Sequence, residues 1–128
     1  MYSYRATYFL KLSWLPFFVT LRLRTNYKEV GLMKMFIIVY SSFIDDKVIA
    51  AFTKSGLKSY TKWTKVLGCG VETGPKMGSR SWPDENDVIT VVINNEDVAK
   101  AKDVVVTLRK EHPRAGVRCF IVPVEEMI

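Results

Sequence analysis

Phe120-Ile121-Val122-Pro123-Val124-Glu125-Glu126-Met127-Ile128 closes the chain as an apolar run that ends in proline and adjacent acids. Tyr60-Thr61-Lys62-Trp63-Thr64-Lys65-Val66-Leu67-Gly68-Cys69-Gly70 lies well upstream and breaks at a Gly-x-Gly. Residues 57–67 are rich in Tyr, Thr, Trp and Val and partly alternate, which predicts a strand. Residues 117–122 form the last strand, entered through a turn at Gly116.

Upstream of the first stretch, residues 34–41 are a short apolar, β-branched run and predict a buried strand. Ser42, with Asp45 three residues on, predicts a helix N-cap of capping-box type. Ile44, Val48, Ala51, Phe52 and Ser55 recur at helical spacing, and Gly56 stops the pattern, so a helix is expected over 42–55. Between the two stretches, Gly68 to Asn86 reads as a loop punctuated by Gly74, Pro75, Gly78, Pro83 and Asp84. Residues 87–94 predict a second buried strand. Asn95 is placed to cap a helix carrying Val98, Ala101, Val104, Val105 and Leu108, which ends near His112-Pro113 because proline cannot continue it. The order strand, helix, strand, strand, helix, strand is the split βαβ, an α+β ferredoxin-like βαββαβ sandwich with an antiparallel sheet and two helices on one face. The other sheet face needs cover, and the second and third strands offer it Tyr60, Trp63 and several β-branched residues; an exposed apolar face marks an interface, so an oligomer is expected.

The chain of 128 residues is long enough for one domain with a real core, and its 48% hydrophobic and 25% charged residues are ordinary for a globular protein. The net charge of +6 is uneven: residues 1–32 hold five basic and one acidic residue, leaving 14 basic and 12 acidic over 33–128. A nearly balanced domain argues against a dedicated nucleic-acid surface. The two cysteines, Cys69 and Cys119, make no disulfide framework, and their spacing, with the lone His112, does not suit a zinc knuckle. They read as reduced thiols of a cytoplasmic protein. One histidine assembles no catalytic triad, and no general base has an evident partner.

Residues 1–32 differ from the remainder. Phe9, Leu10, Leu12, Trp14, Leu15, Phe17, Phe18, Val19, Leu21 and Leu23 are interrupted by Lys11, Pro16, Arg22 and Arg24. A transmembrane helix needs about 20 apolar residues, and Lys11 and Arg22 leave too short a run. A signal peptide would suit the length, but no small-residue cleavage site follows. Lys28-Glu29-Val30 can be encoded AAG-GAG-GTN, a bacterial ribosome-binding sequence, just ahead of Met33 and Met35. The expectation is therefore that 1–32 is translated upstream sequence and that 33–128 is the domain. A membrane association enters only if 1–32 is genuine, and would then suit a tethered regulator of a transporter.

On the strand ending in Gly68-Cys69-Gly70 and the closing Pro123-Val124-Glu125-Glu126, residues 35–128 resemble the PII signalling superfamily, and specifically PII-like members with a shortened T-loop bearing Trp82-Pro83. The resemblance implies a cytoplasmic, non-enzymatic homotrimer that binds a small anionic effector in clefts between subunits and regulates a target enzyme or transporter through its T-loop, here 68–86. It implies adenine nucleotides (ATP, ADP or AMP) as the first effectors to test, with no certain cofactor and no nucleic-acid partner. Carried over, Gly68 and Gly70 line the cleft, with Lys65 beside them. Glycine there lets the backbone approach a ligand and present its N–H groups. The glycine-rich basic loop of the regulatory proteins corresponds to Glu111-His112-Pro113-Arg114-Ala115-Gly116-Val117-Arg118, where Arg114 and Arg118 remain to meet an anion. The T-loop has no tyrosine between Gly68 and Asn86, so uridylylation is not expected. Glu72, Lys76, Ser79, Arg80 and Trp82 are the target-contact candidates, since binding residues favour loops on rigid scaffolds.

Each candidate has a plainer structural role. Trp82 would tuck onto the sheet as part of a solvated connector. Tyr60 and Trp63 would serve as interface or core. His112 would sit at a helix end favoured by the dipole. Glu125 and Glu126, adjacent on a strand, would face opposite ways and make no acid/base pair. The competing functional class is a CutA-like metal-binding trimer on the same fold, with Cys69 and His112 as the ligands to test.

Overall fold

In the computed structural model, which describes residues 33–128, side-chain alternation builds the centre of the sheet. On β1 (Met33–Ser41), Phe36, Ile38 and Tyr40 are fully buried on one face, while Ile37 and Val39 point to the other and stay partly open. A single turn of 3-10 helix, Ser42–Ile44, leads into α1 (Asp45–Lys54). Then come β2 (Thr61–Val66), β3 (Gly68–Gly70), β4 (Gly74–Lys76) and β5 (Asn86–Asn94). A second 3-10 turn, Asn95–Asp97, precedes α2 (Val98–Glu111), and β6 (Arg118–Pro123) closes the fold.

The main sheet runs β2-β5-β1-β6, antiparallel throughout, as the ferredoxin-like order requires. Val48 and Phe52 of α1 and Ala101, Val105 and Leu108 of α2 bury against Phe36, Ile38, Ile89, Val91 and Ile93 in one core. The loop residues Ala115 and Val117 complete it. Among the described residues, nothing packs over the other face as the helices do over the first. Register places Val92 and Val122 beside Met35, Phe120 beside Ile37, and Trp63 beside Val88. Trp63 is 51% and Phe120 57% exposed there.

Five local expectations change. Ser42 does not cap its helix; its hydroxyl donates to Asp87 Oδ1 at 2.9 Å, while Asp45 accepts from Tyr40 Oη and Lys62 Nζ. Residues 57–60 are not strand. Gly56, at φ 88°, and Leu57 close α1 as a Schellman motif, their N–H groups donating to Thr53 O and Phe52 O at 3.0 Å each. Leu57 is thereby fixed in the core. The 68–86 loop carries structure of its own, for β3 and β4 pair as an antiparallel hairpin with Gly68 opposite Lys76. Asn95 lies inside a 3-10 turn rather than at a cap, and α2 begins at Val98. The closing strand starts one residue late and includes Pro123, tolerable because β6 is an edge strand, so Glu125 and Glu126 lie beyond it.

The reading of 1–32 falls outside the described residues. Among those described, no helix is long and apolar enough to cross a membrane.

Candidate functional site

The candidate residues gather where the chain ends of the central strands meet. The C-terminal ends of β1 and β2 and the first residues of β5 and β6 share one end of the sheet, since Ser41 pairs with Asn86, Val66 with Asn86, and Val39 with Arg118. Two backbone hydrogen bonds tie the neighbouring loops there: Ser41 N donates to Ala115 O at 2.8 Å, and Ser42 N to Glu85 O at 3.0 Å. The hairpin β3–β4 and the 112–117 loop therefore leave the same end.

A β-bulge aims the hairpin. Between Trp63, opposite Val88, and Val66, opposite Asn86, two residues face Asp87 alone. The second, Lys65, takes the left-handed conformation at φ 57°, which disfavours side chains other than glycine. Asp87 compensates: its Oδ1 accepts the Lys65 N–H at 3.2 Å. Asp87 is itself buried and also holds Lys62 Nζ at 3.4 Å, while Lys62 lies 2.6 Å from Asp45 Oδ2. That hydrogen bond to Asp45 holds the Lys62 ammonium above the usual lysine range, and burial with the same Asp45 carboxylate raises the Tyr40 phenol. The base of the loop is thus pinned by a charged network rooted in the core.

Beyond the bulge, Gly68 packs near Asn86, whose Nδ2 would lie 3.4 Å from an added β-carbon. At Gly70 a β-carbon would come within 2.5 Å of Thr73 Oγ1, so a side chain there would have to displace the Thr73 hydroxyl. Arg118 reaches this turn and pairs with Glu72 at 3.2 Å. Arg114 is exposed on the 112–117 loop. Gly116, at φ 64°, abuts the hairpin, where its β-carbon would meet Thr73 Cγ2 at 3.2 Å and Lys76 Nζ at 3.8 Å.

The candidates divide accordingly. Glu72 and Arg118 are in contact, and Lys76 faces the loop of Arg114 and Arg118. Ser79, Arg80 and Trp82 are exposed at the far tip, where Ser79 and Trp82 exchange backbone hydrogen bonds at 3.0 and 3.2 Å. Lys76 differs from its expected setting: it is 5% exposed, so it is not a free contact on the loop surface. Burial pulls its ammonium below the usual range, partly offset by Asp84. The role of Asp87 was not legible in the sequence, where it reads only as the first residue of a strand.

Cys69 is exposed on β3, and His112 sits at the C-terminal cap of α2, its N–H donating to Leu108 O. Among the described residues no three His, Cys, Asp or Glu side chains are grouped to hold a metal. Cys119 faces the core, and burial raises its thiol to about 11. A shallow groove of about 640 Å³ runs between α1 and the start of β2, lined by Asp45, Ile49, Thr53, Tyr60 and Lys62 among others, and contains none of the candidate ligand residues.

Known proteins of this architecture agree with the geometry. CPII, a nitrogen regulatory PII-like protein from Thiomonas intermedia K12 bound to ADP, AMP and bicarbonate, superposes with a TM-score of 0.58 at 16% identity, over 73% of this chain and 89% of that one. The PII protein of Arabidopsis thaliana bound to citrate superposes with a TM-score of 0.58 at 13% identity, over 77% of this chain and 80% of that one. At such identities these likenesses establish the fold. No curated protein matches the chain in sequence. The family model described as nitrogen regulatory protein P-II, however, matches residues 33–128, three quarters of the sequence, and the chain belongs to that family.

Proposed function

We propose that this chain is a PII-like signal-transduction protein, a cytoplasmic homotrimer that binds a small anionic effector at the hairpin end of its sheet and regulates an enzyme or transporter through residues 68–86. The observation that carries the reading is the meeting of the glycine-bearing hairpin with the 112–117 loop, joined by the Arg118–Glu72 pair at 3.2 Å. A ligand that engages Arg118 competes with Glu72 of the hairpin, and so couples occupancy to the shape of the regulatory loop. The uncovered apolar sheet face supports assembly. The adenine nucleotides and bicarbonate bound by CPII support those molecules as first probes. Regulation, rather than catalysis, is the role the family supports.

The test is calorimetric titration of the purified full chain with ATP, ADP, AMP and cyclic AMP, with its mass measured by light scattering. Binding by a trimer is expected. A trimer that binds none of them turns the search to bicarbonate and other small acids. Arg114→Ala is expected to weaken an anionic ligand by roughly 1.5–3 kcal/mol, the range of a charge-assisted contact. Unchanged affinity would mark Arg114 as a solvated side chain.

We also propose that 33–128 is a self-sufficient domain, since its core closes within those residues. Expressed alone, it is expected to be soluble and to assemble as the full chain does, measured by size-exclusion chromatography with light scattering. An insoluble or monomeric fragment would assign 1–32 a structural role.

A further inference from the structure

The groove of about 640 Å³ between α1 and the start of β2 is built on one side of the helix. Asp46, Ile49, Ala50, Thr53 and Lys54 line it at i, i+3, i+4, i+7 and i+8, the spacing of a single helix face. Its two ends carry opposite charges. Asp46 and Lys54 stand about 12 Å apart along the helix axis, at 1.5 Å per residue. Among the described residues neither makes an ion pair or a side-chain hydrogen bond. Ile49 and Ala50 make the stretch between them apolar. Tyr60, 43% exposed, forms the opposite wall with the Asp45–Lys62 pair. Beside that wall lies an open backbone edge, since among the described residues β2 pairs with β5 on one side and with no strand on the other. Lys62 stands opposite the buried Ile89, so the groove opens on the helix side of the sheet and not on the face proposed for assembly.

An extended chain laid beside an edge strand completes its hydrogen bonds and sends alternate side chains to one side. At about 3.3 Å per residue, positions i and i+4 of such a chain lie about 13 Å apart on that side, which matches the separation of Asp46 and Lys54. Position i+2 then falls between them, over Ile49 and Ala50. We infer that this groove docks an extended segment of a partner protein that carries a basic, an apolar and an acidic residue at alternate positions, with the base at Asp46 and the acid at Lys54. The site shares no residue with the effector-binding reading and stands or falls apart from it. Its wall also reaches the hairpin. Lys62 is shared between Asp45 at 2.6 Å and Asp87 at 3.4 Å, and Asp87 accepts the Lys65 N–H in the bulge that aims β3. A docked base that engages Asp45 as well as Asp46 releases Lys62 toward Asp87, so docking on α1 is registered at the base of the hairpin.

The experiment follows the amide resonances of the 15N-labelled full chain during titration with two end-blocked peptides, Thr-Lys-Thr-Leu-Thr-Glu-Thr and its charge-reversed partner Thr-Glu-Thr-Leu-Thr-Lys-Thr. The wild type is expected to bind one of them about tenfold more tightly than the other, since two exposed ion pairs are made in one case and two like charges meet in the other. The shifts are expected within 45–62. Asp46→Lys combined with Lys54→Glu is expected to reverse the preference, because β2 still sets the direction of the bound chain. The single changes Asp46→Asn and Lys54→Gln are each expected to narrow it about threefold, and they decide the matter should the double variant fail to fold. Shifts that extend to the amides of 65–70 support the route through Lys62; an unmoved hairpin overturns that route. Equal affinity for the two peptides, or a preference that the charge exchange leaves in place, overturns the groove as a charge-read docking site. So does the absence of any shift in 45–62 at millimolar peptide.

Discussion

A chain carrying both Val92→Glu and Phe120→Glu is expected to sediment as a folded monomer, whereas the wild type, on the proposed assembly, is expected to sediment as a trimer. Both side chains lie on the sheet face that no helix among the described residues covers, and they are 39% and 57% exposed in the isolated subunit. Val92 stands beside Met35, and Phe120 beside Ile37. None of the buried core side chains is touched by either change, so each should alter subunit stability by no more than about 0.5 kcal/mol. Assembly is another matter. Burying a large apolar side chain contributes roughly 1.5–3 kcal/mol, and each glutamate substitutes an uncompensated charge for that gain. Repeated in every subunit, the loss is expected to abolish association at micromolar concentration. Sedimentation velocity reads the mass, and far-ultraviolet circular dichroism confirms the fold. A double variant that remains trimeric would place the interface on another surface. A variant that loses its circular-dichroism signal along with its mass would instead locate Val92 and Phe120 in an interface on which folding itself depends.

Most of the fold was legible because its strands are long enough to show their pattern. Residues 34–41 and 87–94 announce buried strands by composition, and both helices show apolar spacing matched by the core positions Val48, Phe52, Ala101, Val105 and Leu108. What was not legible depends on partners distant in sequence. Ser42 and Asp45 have the spacing of a capping box, yet Tyr40, Lys62 and Asp87 take their side chains, the last from 45 residues away. The β3–β4 hairpin consists of three-residue strands rich in glycine and proline, with no alternation to reveal it. Lysine on a polar loop reads as exposed, whereas the fold buries most of Lys76 on β4 beside Gly116. Arg118 could be proposed to meet an anion, but its contact with Glu72, 46 residues earlier, required the fold.

Asp87→Ala is expected to destabilise the subunit by about 3 kcal/mol, measured by urea unfolding, because this buried carboxylate serves three donors at once. Ser42 Oγ and the Lys65 N–H would lose their acceptor, and Lys62 would keep only Asp45. The second loss matters most for function, since Lys65 occupies a left-handed conformation that itself costs about 1–3 kcal/mol and is held by that bond. Without it the bulge should relax, and amide exchange in β3–β4 should quicken more than in β1 or β5. Equal quickening throughout would mean that Asp87 stabilises the core without aiming the hairpin. The same network sets the alkaline limit of the fold. Tyr40 is raised by burial and by its hydrogen bond to Asp45, and Lys62 chiefly by its own bond to Asp45. A folded-state pKa above the unfolded value means that the stability is fully present below the unfolded pKa and is lost as pH rises beyond it. For Tyr40 and Lys62 that window opens near the ordinary values of the two groups, 10.0 and 10.5. Cys119, raised from 9.0 to about 11, adds a loss between those values. Unfolding free energy is therefore expected to fall steadily above about pH 9 and more steeply above pH 10. Tyr40→Phe, which removes the ionisable phenol but keeps the ring that fills the core, should flatten the steeper part while lowering stability at neutral pH by about 1 kcal/mol for the lost hydrogen bond to Asp45. A Tyr40→Phe variant with an unaltered alkaline slope would show that the buried phenol does not govern it.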